Sequence, residues 1–360
     1  MTVRIGVVGC GWWATRAHLP AVHAHPEAIV AAVADPDETR RAAVAERFGV
    51  EHAYASADEM LDAQPCDGVI VATPHHTHYP TALAALEHGA HVLVEKPMTI
   101  RPEDARALVD VARARGLELI VGYPWHWNAQ LLELRARIEA GAIGGIEHVA
   151  CLFASTARDL YGGRSEALRD VLGYPMAAPV DTTSADPASA GGGQGQTQLT
   201  HSAALLLWLT GLRPTTVTAL TASFELPIDL VDALAVRLEN GAVCSLASTG
   251  SISPGYEDIL EYRVFGSDGH MLIDPGEGIA TICRAGEAPV TLAPLPLDQR
   301  YREDAPARNL IELCAGRGVN GSPGEIGAQV VELIDAMYRS AERGVAVAIA
   351  VDPLRPGAPA

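Results

Sequence analysis

The chain has 360 residues, enough for two domains with separate cores, and carries a formal net charge of −18. That charge repels nucleic acid and anionic membrane, so neither is expected as a partner. Six cysteines stand singly, no Cys-x-x-Cys pair occurs, and no apolar leader or bilayer-length apolar run is present. Together these lead us to expect reduced thiols and a cytoplasmic location.

Residues 3–8 read as a buried parallel strand, followed by Gly9-Cys10-Gly11-Trp12-Trp13-Ala14 and a helix to about residue 25. A strand at 29–34 ends at Asp35, and a helix at 38–48 stops at Gly49. Strands at 68–72, 91–94 and 117–121 then alternate with helices at 79–88 and 102–115. This alternation predicts an α/β Rossmann domain, a doubly wound parallel sheet, over residues 1–122. The Gly-x-Gly-x-x-Ala turn sits between strand and helix, with an acid about 20 residues on, the context that a dinucleotide turn requires. Its glycines permit close backbone approach, and the helix N-terminus attracts a pyrophosphate. Gly9, Gly11, Trp12 and Trp13 are therefore candidate cofactor contacts, and Asp35 a candidate acceptor for ribose hydroxyls. Asp35 and Asp37 disfavour a 2′-phosphate, which points to NAD over NADP; Arg40 and Arg41 are the features that favour NADP. Thr73, Pro74 and His76 follow the fourth strand, where such sheets bind ligands. His75, His76 and His78 lack a carboxylate or cysteine at ligand spacing, so no metal is expected.

Lys96 is the only lysine, against 25 arginines. It lies in Glu95-Lys96-Pro97 at a strand end. An ammonium is compact and its pKa is tunable by burial, whereas a guanidinium is bulky and permanently charged. A position that keeps lysine in an arginine-only chain is a candidate for chemistry, with Glu95 beside it.

Beyond Gly122 the alternation ends. A helix is expected at 128–140 and a strand at 147–155. Hairpins are expected around Asn240-Gly241 and around residues 266–269, and a long helix at 325–343. These elements predict an α+β domain with an antiparallel sheet over 123–352, and a flexible Pro-rich tail at 353–360. A Gly-, Pro- and Ser-rich stretch from 158 to 195 reads as a long loop. It leads through three glycines to Gln194, Gln196, Thr197, Gln198 and His201. With a helix at 202–209, His201 is expected at a helix start, where the dipole keeps an imidazole neutral as a base.

These motifs resemble the glucose–fructose oxidoreductase / inositol dehydrogenase / MocA (Gfo/Idh/MocA) family. The resemblance rests on Gly9-x-Gly11, Asp35, Thr73-Pro74, Glu95-Lys96-Pro97 and the triple glycine before His201. It implies a Rossmann domain beside a large open-faced, mostly antiparallel sheet that packs into dimers or tetramers. It also implies oxidation or reduction of sugars, cyclitols or glycosides, with Lys96 on the reacting oxygen and His201 moving its proton. The family often has an aspartate where this chain has Thr197, which becomes a candidate orienting residue. Tyr123, Trp125, His126, Tyr161, Gln194 and Gln198 are candidate substrate contacts, with Trp127 and Tyr174 as further stacking surfaces. Two other readings remain open at this level: a redox-neutral glycosidase or epimerase that retains its NAD, and a non-catalytic dinucleotide- or sugar-sensing or scaffold protein.

Overall fold

The computed structural model describes residues 2–176 and 178–350; the tail expected at 353–360 lies outside the described residues. The first sheet holds six parallel strands, β1 (Val3–Val8), β2 (Ala28–Ala34), β3 (Ala53–Tyr54), β4 (Gly68–Val71), β5 (His91–Val94) and β6 (Leu119–Val121), in the order β3-β2-β1-β4-β5-β6. The chain reverses direction of winding between β1 and β4, so the carboxyl ends of those two strands flank a crevice. The strands are apolar on both faces because helices cover both. Ile5, Val7, Ile70 and Leu93 pack on one side with Leu19, Phe48 and Leu310; Val69, Val71, Val92 and Val94 pack on the other with Leu86 and Leu108. Local chemistry sets the helix limits. Asp37 accepts the Arg40 N–H at the start of helix Glu38–Phe48, and Gly49 ends it at φ 65°.

The second sheet holds β7 (Ile146–Ala154), β8 (Pro214–Ala222), β9 (Val231–Leu238), β10 (Val243–Thr249), β11 (Ile259–Gly266), β12 (Gly269–Asp274), β13 (Ile279–Arg284), β14 (Val290–Thr291) and β15 (Val347–Ala348). Their order is β14-β13-β12-β11-β7-β10-β9-β8-β15, with β7–β10 the one parallel pairing in this sheet among the described residues. Alternate residues such as Val149, Leu234, Val236 and Val264 are buried under helices Thr200–Thr210 and Gly324–Arg343. The opposite face is open, and Leu152, Leu220 and Leu272 stand exposed on it. This is the α/β plus open-sheet architecture that the sequence predicts.

Three features differ from the sequence reading. Helix Ala305–Cys314, which no sequence pattern marked, returns to pack on β1, β4 and β5 of the parallel sheet. The stretch from 158 to 195 is no open loop: it folds into short helical turns, among them Arg158–Tyr161, Asp181–Ala185 and Pro187–Ala190. His201 is also not at a helix start. A π-wound segment, Gly195–Leu199, precedes it and runs directly into helix Thr200–Thr210, with the Thr200 N–H reaching back to Gly195 O. Among the described residues, no helix is long and apolar enough to cross a membrane.

Candidate active site

A cleft of about 790 Å³ runs along the carboxyl ends of the parallel strands and under the second sheet. At one end β1 delivers the glycine turn. Gly9 has φ 94° and a side chain there would strike the Ala72 carbonyl, so only glycine fits. Space is open where a Cβ on Gly11 would stand. Asp35, at the end of β2, is buried, and its carboxylate accepts the N–H of Cys10 at 2.8 Å and of Asp37 at 2.9 Å. Arg40 reaches both Asp35 (3.5 Å) and Asp37 (3.3 Å), while Arg41 donates to the main-chain oxygens of Asp35 and Pro36. The Thr73 hydroxyl is buried without a hydrogen-bond partner.

Glu95 follows β5 and ties the turn to the middle of the cleft. Its Oε1 takes the Trp13 indole N–H and His18 Nε2, each at 2.8 Å, and its Oε2 takes the Lys96 N–H at 3.1 Å. Burial raises the Glu95 pKa, but His18 and Lys96 outweigh it and hold the carboxyl below its ordinary value. Gly122 leaves the room that this carboxylate fills. Lys96 Nζ crosses the cleft to donate to the Thr197 main-chain oxygen at 2.8 Å. Burial lowers its pKa, and Glu95 acts against that fall.

His201 projects from the second domain with Nδ1 unpartnered and its ring among Tyr123, Phe153 and Tyr301. Burial, then the Lys96 charge and His126, hold its pKa well below the usual histidine value. The neutrality expected of this residue therefore comes from desolvation and a nearby cation; the helix-start dipole invoked from the sequence is absent.

The cleft wall brings together Gly9, Gly11, Trp12, Trp13, Asp35, Arg40, Thr73, Pro74, His76, Glu95, Lys96, Trp125, Thr197, Gln198 and His201. Four expected substrate contacts are not part of it. Tyr123 is buried with its hydroxyl 3.1 Å from Thr200 Oγ1. His126 stacks on Trp208 in the core at 4.8 Å. Tyr161 and Gln194 hydrogen-bond each other behind the wall, and Gln194 donates on to Ser248 at 2.8 Å. Tyr123, Tyr161 and Gln194 have partners enough to be buried. Trp127 packs against Gly321 instead, and Tyr174 donates to Ser165 O. Thr197 is in the wall, but its hydroxyl donates to Gly193 O and contacts the Tyr161 hydroxyl, so its carbonyl is what meets Lys96.

Sequence reasoning missed Arg16, Phe153, Asp258, Arg300 and Tyr301, all in the cleft wall. Arg16 lies one turn beyond Trp12, a spacing that points to the same face. Tyr301 packs against Trp125 with the ring centroids 4.7 Å apart and the planes tilted by 57°, and comes from a segment without periodic pattern.

A six-stranded Rossmann sheet opening onto a cleft roofed by an open antiparallel sheet defines a two-domain dinucleotide-binding class. Residues 3–123 match the oxidoreductase-family NAD-binding Rossmann fold, and residues 131–272 match the GFO/IDH/MocA C-terminal domain. The chain belongs to the Gfo/Idh/MocA family. It is 30% identical over 275 residues to the rhizopine catabolism protein MocA of Rhizobium meliloti, covering 74% of this chain and 76% of that one. It is 37% identical over 183 residues to a dTDP-3,4-didehydro-2,6-dideoxy-alpha-D-glucose 3-reductase of Streptomyces violaceoruber, covering 48% of this chain. The match spans about half (52%) of that relative's length. A levoglucosan dehydrogenase in complex with NADH and levoglucosan shares the fold, with a TM-score of 0.80 at 20% identity over 97% of this chain and 100% of that one.

Proposed function

We propose that this protein transfers a hydride between NAD and a carbinol carbon of a sugar, cyclitol or glycoside. The observation that carries the reading is one cleft that combines Gly9, Asp35 and Thr73 at one end with Lys96 and His201 further along. The chain fits a dinucleotide on its own features: open space at Gly11, an unpartnered Thr73 hydroxyl, and the Asp35 carboxylate held by two N–H groups. When bound, NAD supplies the hydride acceptor or donor. The residues do the rest. His201, kept neutral by burial, takes the substrate hydroxyl proton on an imidazole nitrogen. The Lys96 ammonium, fixed by the Thr197 carbonyl, faces the oxygen on which negative charge develops. Trp125 and Tyr301 offer an aromatic wall for the apolar face of a sugar ring. The carbohydrate names of the relatives support the substrate class.

NAD is favoured over NADP because Arg40 is already committed to two carboxylates and Arg41 to two carbonyls. In this reading residues 1–122 hold the dinucleotide, and residues 123–352 shape the substrate end and the oligomer face. The open sheet face, paved by Leu152, Leu220, Ala233 and Ala247, suits a second copy of the chain, which sedimentation would read as a dimer or tetramer. A panel of sugars, cyclitols and glycosides with NAD and NADP, followed at 340 nm, tests the function. Stoichiometric NADH with an oxidised sugar supports it. Conversion without NADH release points to redox-neutral chemistry, and dinucleotide binding without conversion points to a sensor or scaffold.

A further inference from the structure

Behind the cleft wall lies a second polar cluster. Asp229, just before β9, is 7% exposed. Its Oδ1 accepts the Gly193 N–H at 2.7 Å and the Tyr338 hydroxyl at 2.9 Å, and its Oδ2 accepts the Gly195 N–H at 2.8 Å. Its main-chain oxygen accepts the intervening Gln194 N–H at 2.9 Å. One residue thus satisfies three successive N–H groups at a helix entrance, groups that the helix itself leaves unpaired. The glycines follow from this clamp. A side chain on Gly193 would strike the Asp229 main chain, and one on Gly192 or Gly195 would strike the Tyr338 hydroxyl. Within one turn the same segment presents the Thr197 carbonyl to Lys96, and one turn later it presents His201.

We propose that Asp229 is a positioning residue for the reaction: it fixes the entrance of the π-wound segment and thereby aligns the Thr197 carbonyl with Lys96 and His201 with the cleft. This rests on the Lys96–His201 reading above. Asp232 is its neutral companion. It is fully buried, and no donor faces either of its oxygens. Two adjoining carboxyls can hydrogen-bond only when one is protonated. Burial, then the Asp229 charge, push the Asp232 pKa up to about 9, so the proton resides on Asp232 and Asp229 remains the acceptor for the glycine N–H groups.

The lone lysine makes a direct test possible. Reductive methylation with ¹³C-formaldehyde places one dimethyl-lysine label on the chain, resolved from the α-amino signal, and its NMR shift against pH titrates Lys96 without any substrate. Glu95, His75, His78 and His201 are the titratable groups around it. In Asp229→Asn, an amide N–H₂ opposes one glycine N–H and the segment entrance loosens. Lys96 then loses an oxygen that favours its charged form. The Lys96 pKa is expected to fall by about one unit, and kcat by at least about tenfold, with NADH affinity unchanged by fluorescence titration. Asp232→Asn replaces a neutral acid with a neutral amide and should leave both readouts at wild-type values. If Asp229→Asn fails to fold, Tyr338→Phe removes one donor from Asp229 and should move the Lys96 titration in the same direction. A Lys96 titration that stays put or moves upward in the folded variant overturns the proposal. So do equal losses in Asp229→Asn and Asp232→Asn, which would mark a packing effect. Because the titration needs no turnover, its result stands even if no sugar proves to be a substrate.

Discussion

Lys96 Nζ donates to the Thr197 carbonyl oxygen at 2.8 Å, so a single hydrogen bond joins the end of β5 to the segment that carries His201. The acceptor is main chain, so the contact does not depend on the side chain at position 197. The Thr197 side chain points elsewhere, to Gly193 O and Tyr161. Thr197→Val should therefore keep the Lys96 contact and lose about 1 kcal/mol of hydrogen bonding. Its kcat should fall by no more than about fivefold, and steady-state rates on the best substrate check this.

The burial of His201 sets the pH dependence. Its pKa in the folded protein lies well below the ordinary 6.5, so the base form prevails through neutrality. In the direction of alcohol oxidation, kcat should be flat with respect to this group through neutrality and fall only in more acid solution. That is lower than the helix-start reading of the sequence implies. A limb centred at or above about pH 6.5 that vanishes in His201→Ala would contradict the lowered pKa, and a profile unchanged in His201→Ala would contradict its role as the base.

The same burial has a stability consequence. His75 and His126 are depressed to about 3, and His201 is also lowered. Below the unfolded value of about 6.5, the unfolded chain binds these protons before the folded one, so stability falls as pH drops from about 6.5 toward 3. Asp232 acts in the opposite sense. Its pKa is raised from 3.8 to about 9, so the unfolded chain releases its proton first and stability is lost as pH rises through that window. Asp232→Asn should remove the second effect. Its melting temperature should exceed wild type at pH 8, with the difference shrinking toward pH 4; a variant less stable at pH 8 would contradict the protonated-pair account.

The proposed cofactor choice is tested at the end of β2. Asp35→Ala removes a buried carboxylate from the cleft wall and frees Arg40 from one of its two acids. NAD(H) should bind wild type more tightly than NADP(H), and the variant should narrow the gap. Fluorescence titrations with both cofactors measure it, and a wild-type preference for NADP(H) would overturn the assignment.

The Rossmann half was legible because each of its longer signals is local. A run such as residues 3–8 must be buried on both faces, Asp37 caps its own helix, and Gly9 meets a backbone contact that no other residue tolerates. Short elements such as β3 and β14, with two residues each, carry no periodicity to read. The substrate end was less legible because its aromatic and amide residues suit both a wall and a core. Tyr123, Tyr161 and Gln194 became core once Thr200, Thr197 and Ser248 supplied partners from distant elements. Nothing local to Gly193 announces that Asp229 will clamp it from 36 residues away. The π-wound turn before His201 begins at Gly195, whose N–H that clamp holds.

In the proposed reaction Lys96 supplies a compact, tunable cation to the reacting oxygen. Lys96→Arg keeps the charge but adds bulk and fixes protonation. The most direct measurement is kcat of wild type and Lys96→Arg at 340 nm on the best substrate of the panel, alongside NADH affinity by fluorescence. A fall in kcat of roughly 10²-fold or more is expected, the scale of losing one positioned electrostatic donor, with NADH affinity retained. An arginine variant with near-normal kcat would contradict it.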